Sequence, residues 1–273
     1  MSTIKDVARL ANVSVATVSR VMNNSPKASA ASREVVLKAM AELGYTPNAN
    51  ARALVSQTCD TMGVVVGDVA DPFFGALVKG VAAVAVEQGL HLLMGNGFHR
   101  AQQEREAIEL LIGKRCEALV VHSKALGDEE LVDYALRAPG MVLINRDIPS
   151  LRGRCIALNN RQGAATATRH LLDLGHRHIA FLSSDHAIED ALLRHQGYQD
   201  ALAEAEVFAD PELVESGIPN EEGGERAMLN LLAKGLPITA VVAYNDAMAA
   251  GAISVLADNG LKVPEEVSVV GFD

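Results

Sequence analysis

The sequence predicts a small helical headpiece joined through a short hinge to a much larger α/β body of doubly wound parallel sheets. Three observations carry this expectation. Apolar residues recur at helical spacing through the first 45 residues, whereas from Thr61 onward short Val/Ile/Leu runs alternate with helical stretches. Charge changes sign between the two parts. Residues 1–58 hold seven basic and three acidic side chains, a surplus of +4, so the rest of a chain of net charge −10 carries −14. A basic module ahead of an acidic body predicts that only the front meets a polyanion, because the body is repelled from it.

With 273 residues, 49% of them apolar, there is material for two or three packed domains. No uncharged apolar run of about 18 residues occurs, and MSTIKDVARL lacks the apolar stretch of a secretory signal. The expectation is a cytoplasmic chain with no membrane span. Cys59, Cys116 and Cys155 are odd in number and far apart, which suits structural thiols better than disulfides or a metal site.

In IKDVARLANVSVATVSRVM the apolar positions Ile4, Val7, Ala8, Leu10 and Ala11 form one helical stripe, and Val15, Val18 and Val21 form another. Asn12 between them suits a left-handed turn, and Ser14 suits the N-cap of the second helix. Docked by its valines, that helix exposes Ser14, Val15, Ala16, Thr17, Ser19 and Arg20. Short hydroxyls for phosphates, methyls for thymine and one Arg for a guanine edge or phosphate suit a major groove, as in a helix-turn-helix recognition helix. A plain three-helix bundle that binds no nucleic acid is the alternative. A third helix is expected over about Ala31–Leu43, with Val35, Val36, Ala39, Met40 and Leu43 on one face and Ser32 near its start.

The stretch YTPNANARALVSQT follows. Pro47 stops the preceding segment, and Asn48–Val55 offers one or two helical turns with little to bury, so a hinge helix here needs a second copy to pack against. Leu54 has the character of a wedge between minor-groove base steps, though a simple linker reads equally well.

In the body, strands are expected at 62–69, 91–96, 118–123, 141–145, 178–184, 240–245 and 267–272, with helices at about 72–89, 101–114, 128–137, 162–174, 190–204, 223–234 and 246–260. Near-continuous apolar strands are covered on both faces, which implies parallel βα units. A division near 155–162, after CIAL, makes two subdomains with a cleft between them.

Polar residues gather at the carboxyl ends of those strands: Asp68 and Asp71, Asn96, His122 and Ser123, Asn145 and Arg146, Ser183 and Ser184, Asn245 and Asp246, and Asp273. Ligands of open α/β sheets bind there. Phe73 and Phe74, read as lying on the loop after the first strand, add an aromatic wall in a chain with only 4% aromatics. Such a set suits a neutral polyhydroxylated ligand, although any single member also reads as a turn former. There is no GxSxG or GxxxxGK[ST], and VGDVADPFFG stands where a GxGxxG would follow the first strand. His176 and His178 flank a turn with no third ligand nearby, so neither a metal, a cofactor nor an enzymatic role is expected.

The stretches TIKDVARLANVSVATVSRV, PNANARAL, GDVADPFFGALVK, RCEALVVHSKAL, GMVLINR, RHQGY, YNDAMAAGA and VSVVGFD resemble the lactose-repressor family along the whole chain. The resemblance implies a homodimer on a palindromic DNA operator. It puts Val15 and Ala16 at base edges with Arg20 beside them. Thr3, Ser14, Thr17, Ser19 and Asn23 go to phosphates, Asn48 and Arg52 to the hinge contact, and Leu54 to the minor groove. It implies a body similar to periplasmic sugar-binding proteins, with Phe73, Phe74, Asn145, Arg194, Asn245 and Asp273 lining the effector cleft and the Arg194 fork gripping two hydroxyls.

GDVADPFFGALVK and MNNSPKAS resemble the galactose-responsive branch, which implies a repressor of sugar-utilisation genes released by D-galactose. Another hexose, a pentose or a purine is the alternative effector, and a sugar-binding protein with no DNA role is the alternative class. The implied organisation is a headpiece over 1–46, a hinge over 47–60 and a body over 61–273, split about 158/159. Two departures stand out. Ile218–Asn220 offers no aromatic to the ligand, and the family pattern continues past Asp273, so the body is expected to be C-terminally incomplete.

Overall fold

The computed structural model describes residues 2–23, 25–45 and 59–272. The headpiece comprises α1 (Ile4–Leu10), α2 (Val15–Met22) and α3 (Ala30–Glu42). Thr3 and Asp6 form a reciprocal capping box on α1, and Ser14 caps α2 by accepting from the Thr17 amide. Asn12 takes the left-handed turn between them at φ 52°. Val7, Ala8, Val18, Val21, Val36 and Ala39 close the core. Ser29 is the N-cap of α3, with Ser32 in its first turn as expected; one detail differs from expectation, since Val35 points outward while Val36 is fully buried. Of the apolar run Val35–Val36–Leu37 the helix face buries only Val36.

The body contains two parallel sheets. The first is formed by β1 (Cys59–Val66), β2 (His91–Asn96), β3 (Cys116–His122), β4 (Met141–Ile144) and β5 (Cys155–Ile156), in the order β2-β1-β3-β4-β5. Its helices are α4 (Pro72–Glu87), α5 (Ala101–Gly113) and α6 (Asp128–Arg137). The second has β6 (Ile179–Ser184), β7 (Val214–Gly217), β8 (Ala240–Ala243) and β9 (Ser268–Val270), in the order β7-β6-β8-β9. Its helices are α7 (Asn160–Asp173), α8 (Glu189–Glu204), α9 (Glu221–Ala233) and α10 (Asp246–Asp258). Successive residues of β6 and β8 feed opposite cores: Ile179, Phe181, Ala240 and Val242 pack under α7 and α8, while Ala180, Leu182, Val241 and Ala243 pack under α9 and α10.

β7 was not expected from the sequence, because VESG has one apolar side chain and lies at a sheet edge. β1 ends at Val66, earlier than expected, because Asp68 turns the chain by accepting from the Ala70 amide and Asp71 caps α4. Phe73 and Phe74 are therefore in the first turn of α4 and not on a loop. In each sheet the chain goes first to one side and then to the other, which leaves a switch point between β1 and β3 and another between β6 and β8. Crevices at such points are where open α/β sheets take ligands.

Candidate functional site

On α2, Val18 and Val21 are buried while Ser14, Val15, Ala16 and Arg20 are exposed and Thr17 and Ser19 half-buried; Val15 is 42% exposed. Several polar members already hold the headpiece together. The Ser14 and Thr17 hydroxyls lie 2.9 Å apart, and the Thr3 hydroxyl donates to Asp6 Oδ2 at 2.6 Å, which holds the Asp6 carboxyl below its usual range. Asn23 is the C-cap of α2. Asn48, Arg52 and Leu54 lie outside the described residues, as does Asp273.

The other sequence-derived cleft residues converge. Phe73, Phe74, Asn145, Arg194 and Asn245 all border one small chamber of 80 Å³, which opens into a cavity of 980 Å³ reaching Asp68, Asp71 and Asp246. Their supports come from the chain itself. Asn245 caps α10 through the Met248 amide and donates to Pro219 O at 2.9 Å. Asn145 stands at φ 54°. Phe74 is only 4% exposed and belongs to the β1 core, so Phe73 presents more of the aromatic wall. Arg194 differs from the expected free fork: Nε donates to Asn160 Oδ1 at 2.8 Å, Nη1 donates to Tyr244 O at 2.5 Å, and its guanidinium lies over the rings of Tyr244 and Phe272. Its Nε and Nη1 donors are thus already committed within the protein.

Other strand-end residues serve the scaffold. Ser123 donates to the buried Glu104, whose carboxylate also accepts the amides of Lys124, Ala125 and Leu126. Arg146 pairs with Asp128 and donates to Leu126 O. Ser183 and Ser184 border a separate, shallower depression beside α8. Asn96 ends β2 with its Oδ1 buried. His176 Nδ1 is 3.0 Å from Thr239 Oγ1, and among the described residues no group of three His, Cys, Asp or Glu could hold a metal. Among them too, no helix is long and apolar enough to cross a membrane.

The sequence did not reveal the link between the two subdomains. Lys124, from the loop after β3, donates to Asp190 of α8 at 2.8 Å and to the Asn145 carbonyl; the two charged side chains are 1% and 9% exposed. Asp190 also accepts from Asn160, which joins this pair to Arg194. His99 and His186, likewise unforeseen, line the chamber with His122. Burial lowers the His99 pKa, helped by His186, and burial with Lys124 beside it takes His122 down to about 3.

Comparison with known proteins agrees with this architecture. The family model described as "Periplasmic binding proteins and sugar binding domain of LacI family" matches residues 59–273, and "Bacterial regulatory proteins, lacI family" matches residues 3–48. The chain belongs to the LacI family and is a helix-turn-helix transcriptional regulator. Among particular relatives, it is 60% identical over its whole length to the HTH-type transcriptional regulator GalR of Escherichia coli K12 and 54% identical to GalS of Salmonella typhimurium LT2, covering 80% of each. The lac repressor dimer bound to operator and the anti-inducer ONPF superposes with a TM-score of 0.83 at 28% identity, covering 100% of this chain and 82% of that one.

Proposed function

We infer that this protein is a homodimeric repressor that holds a palindromic operator through α2 and leaves it when D-galactose fills the cleft. The observation that carries this is the convergence of Phe73, Phe74, Asn145, Arg194 and Asn245, from separate segments of both subdomains, on one chamber of a DNA-binding regulator. Residues 1–46 form the DNA-binding headpiece, 47–60 the hinge, and 61–273 the effector and dimerisation body, divided about 158/159. Val15, Ala16 and Arg20 read base edges. Thr3, Ser14, Thr17, Ser19 and Asn23 hold phosphates, with Asn48, Arg52 and Leu54 completing the contact at the hinge. Asp273 joins the chamber residues on the sugar. No chemical step belongs to this role, and it is exercised in the cytoplasm.

The sugar binds between two subdomains, so it stabilises the closed arrangement only to the extent that it prefers that arrangement. In the operator-bound dimer the two hinges pack together, and closure moves them apart. Fluorescence anisotropy on an operator duplex tests the reading. D-galactose should weaken binding at least tenfold, and Arg20→Ala should cost about 1–3 kcal/mol and flatten the salt dependence. Operator affinity that ignores galactose overturns the effector, and a titration panel of hexoses, pentoses and purines identifies another.

A further inference from the structure

The segment that joins α2 to α3 is tied together at one residue. The Ser25 amide donates to Arg20 O at 2.9 Å, the Ser25 hydroxyl accepts from the Lys27 amide at 3.3 Å, and the Ser25 carbonyl accepts from the Ala28 amide at 3.1 Å. That same carbonyl also accepts from Arg33 Nη2 at 2.9 Å, eight residues on and already inside α3. Arg33 is an unfavourable choice for that place by itself. It stands near the N-terminus of a helix that carries no acidic residue in its first turn, at the end where the helix dipole opposes a cation. It is also half-buried rather than extended into water.

The consequence lies at the end of α2. Val18 and Val21 dock that helix by its buried back, but Asn23 and Lys27 beyond it are exposed and bury no side chain that could fix them. Where they stand depends on the backbone at Ser25, which Arg33 holds by a charge-assisted bond, the stronger kind. We propose that Arg33 is a positioning residue for operator binding: through the Ser25 carbonyl it sets Asn23 and Lys27 against the sugar-phosphate backbone, and it makes no contact of its own with DNA. This rests on the reading above that the end of α2 lies on phosphates, and it adds Lys27 to that set. Phosphate contacts fix the orientation of a recognition helix without reading sequence, so the effect of Arg33 falls alike on every operator.

Anisotropy of the full chain on operator duplexes tests the assignment. Arg33→Met should weaken binding about fivefold, and by the same factor on operators with single base pairs changed. Arg33→Lys should restore most of that loss, because its ammonium reaches the same carbonyl. The decisive measurement is the cycle with Asn23→Ala and Lys27→Met: once those two contacts are gone, Arg33→Met should cost less than about twofold. The same cost in both backgrounds makes Arg33 an independent DNA contact, and no cost in the native background makes its bond to Ser25 idle; either result overturns this proposal alone. Asn23→Ala with Lys27→Met binding as tightly as wild type overturns the phosphate reading of this segment and the assignment with it. If Arg33→Met does not fold, wild-type resonances decide: the Lys27 ammonium should shift on operator addition while the Arg33 guanidinium does not, and a shifted Arg33 guanidinium overturns the proposal.

Discussion

The headpiece and the cleft put polar chemistry to use in opposite ways. On α2 the side chains proposed for DNA are exposed or half-buried, and Ser14 among them already caps the helix, so this surface is set without a partner. In the cleft the charged groups are buried and tied to one another, as in the chain from Lys124 through Asp190 and Asn160 to Arg194. A recognition helix needs only to be held by its back. A cleft between two subdomains has to hold its buried charges in pairs, because an unpaired buried charge costs far more than an exposed one.

The largest expected effect tests that contrast. Lys124→Met leaves Asp190 buried beside Asn160 alone and should destabilise the body by about 3–5 kcal/mol in urea unfolding. The paired change Lys124→Met with Asp190→Leu should recover most of this. Recovery by the pair means that the bridge acts in registering the two subdomains more than in stabilising them. A single variant as stable as wild type would make the link a surface-like contact and break the comparison.

Next in size is the effect of pH. The folded pKa of His122 is about 3, below the roughly 6.5 of an unfolded histidine. The unfolded chain therefore takes up the proton first, and stability falls as pH drops from about 6.5 toward 3, at about 1.4 kcal/mol per unit. Thermal melts at pH 7.5 and pH 5 should differ by about 2 kcal/mol, and His122→Phe should remove most of that difference. Lys124, His99 and Arg146 oppose the proton and reinforce the sign. The lowered carboxylates of Glu109, Asp200 and Glu204 act in the same direction only in more acidic solution.

The fold was largely legible because strands covered on both faces cannot hide: β6 and β8 are buried at every position, and β8 and the first four residues of β6 read as unbroken apolar runs. β7 escaped because an edge strand of four residues needs neither alternation nor a run. The candidate site was legible where residue type and strand end coincide: Asn145 and Asn245 both border the chamber. It was illegible at Lys124 and Asp190, whose partnership spans 66 residues and exists only once two subdomains meet. His99 gave no signal either, since its left-handed backbone is fixed by β1 rather than by its neighbours in sequence. Phe74 and Arg194 border the chamber as well, but sequence locates a side chain without saying what else holds it: Phe74 packs into the β1 core, and Arg194 is bonded to Asn160 and Tyr244.

The smallest effect sharpens the comparison within a single helix. Val15 and Val18 lie three residues apart on α2, the first exposed and the second fully buried between α1 and α3. Val18→Ala removes two methyls from a small core and should cost the headpiece about 2 kcal/mol, read from the hydrogen exchange of its amides. Val15→Ala should change that stability by less than about 0.5 kcal/mol. Its consequence belongs on DNA: against a set of operators with one base pair changed at a time, the preference for a thymine methyl should fall by about 1 kcal/mol at one position in each half-site and nowhere else. If Val15→Ala instead loosens the headpiece as Val18→Ala does, the outer face of α2 is part of the fold's own packing, and the division between a buried back and a DNA-reading front fails at its first residue.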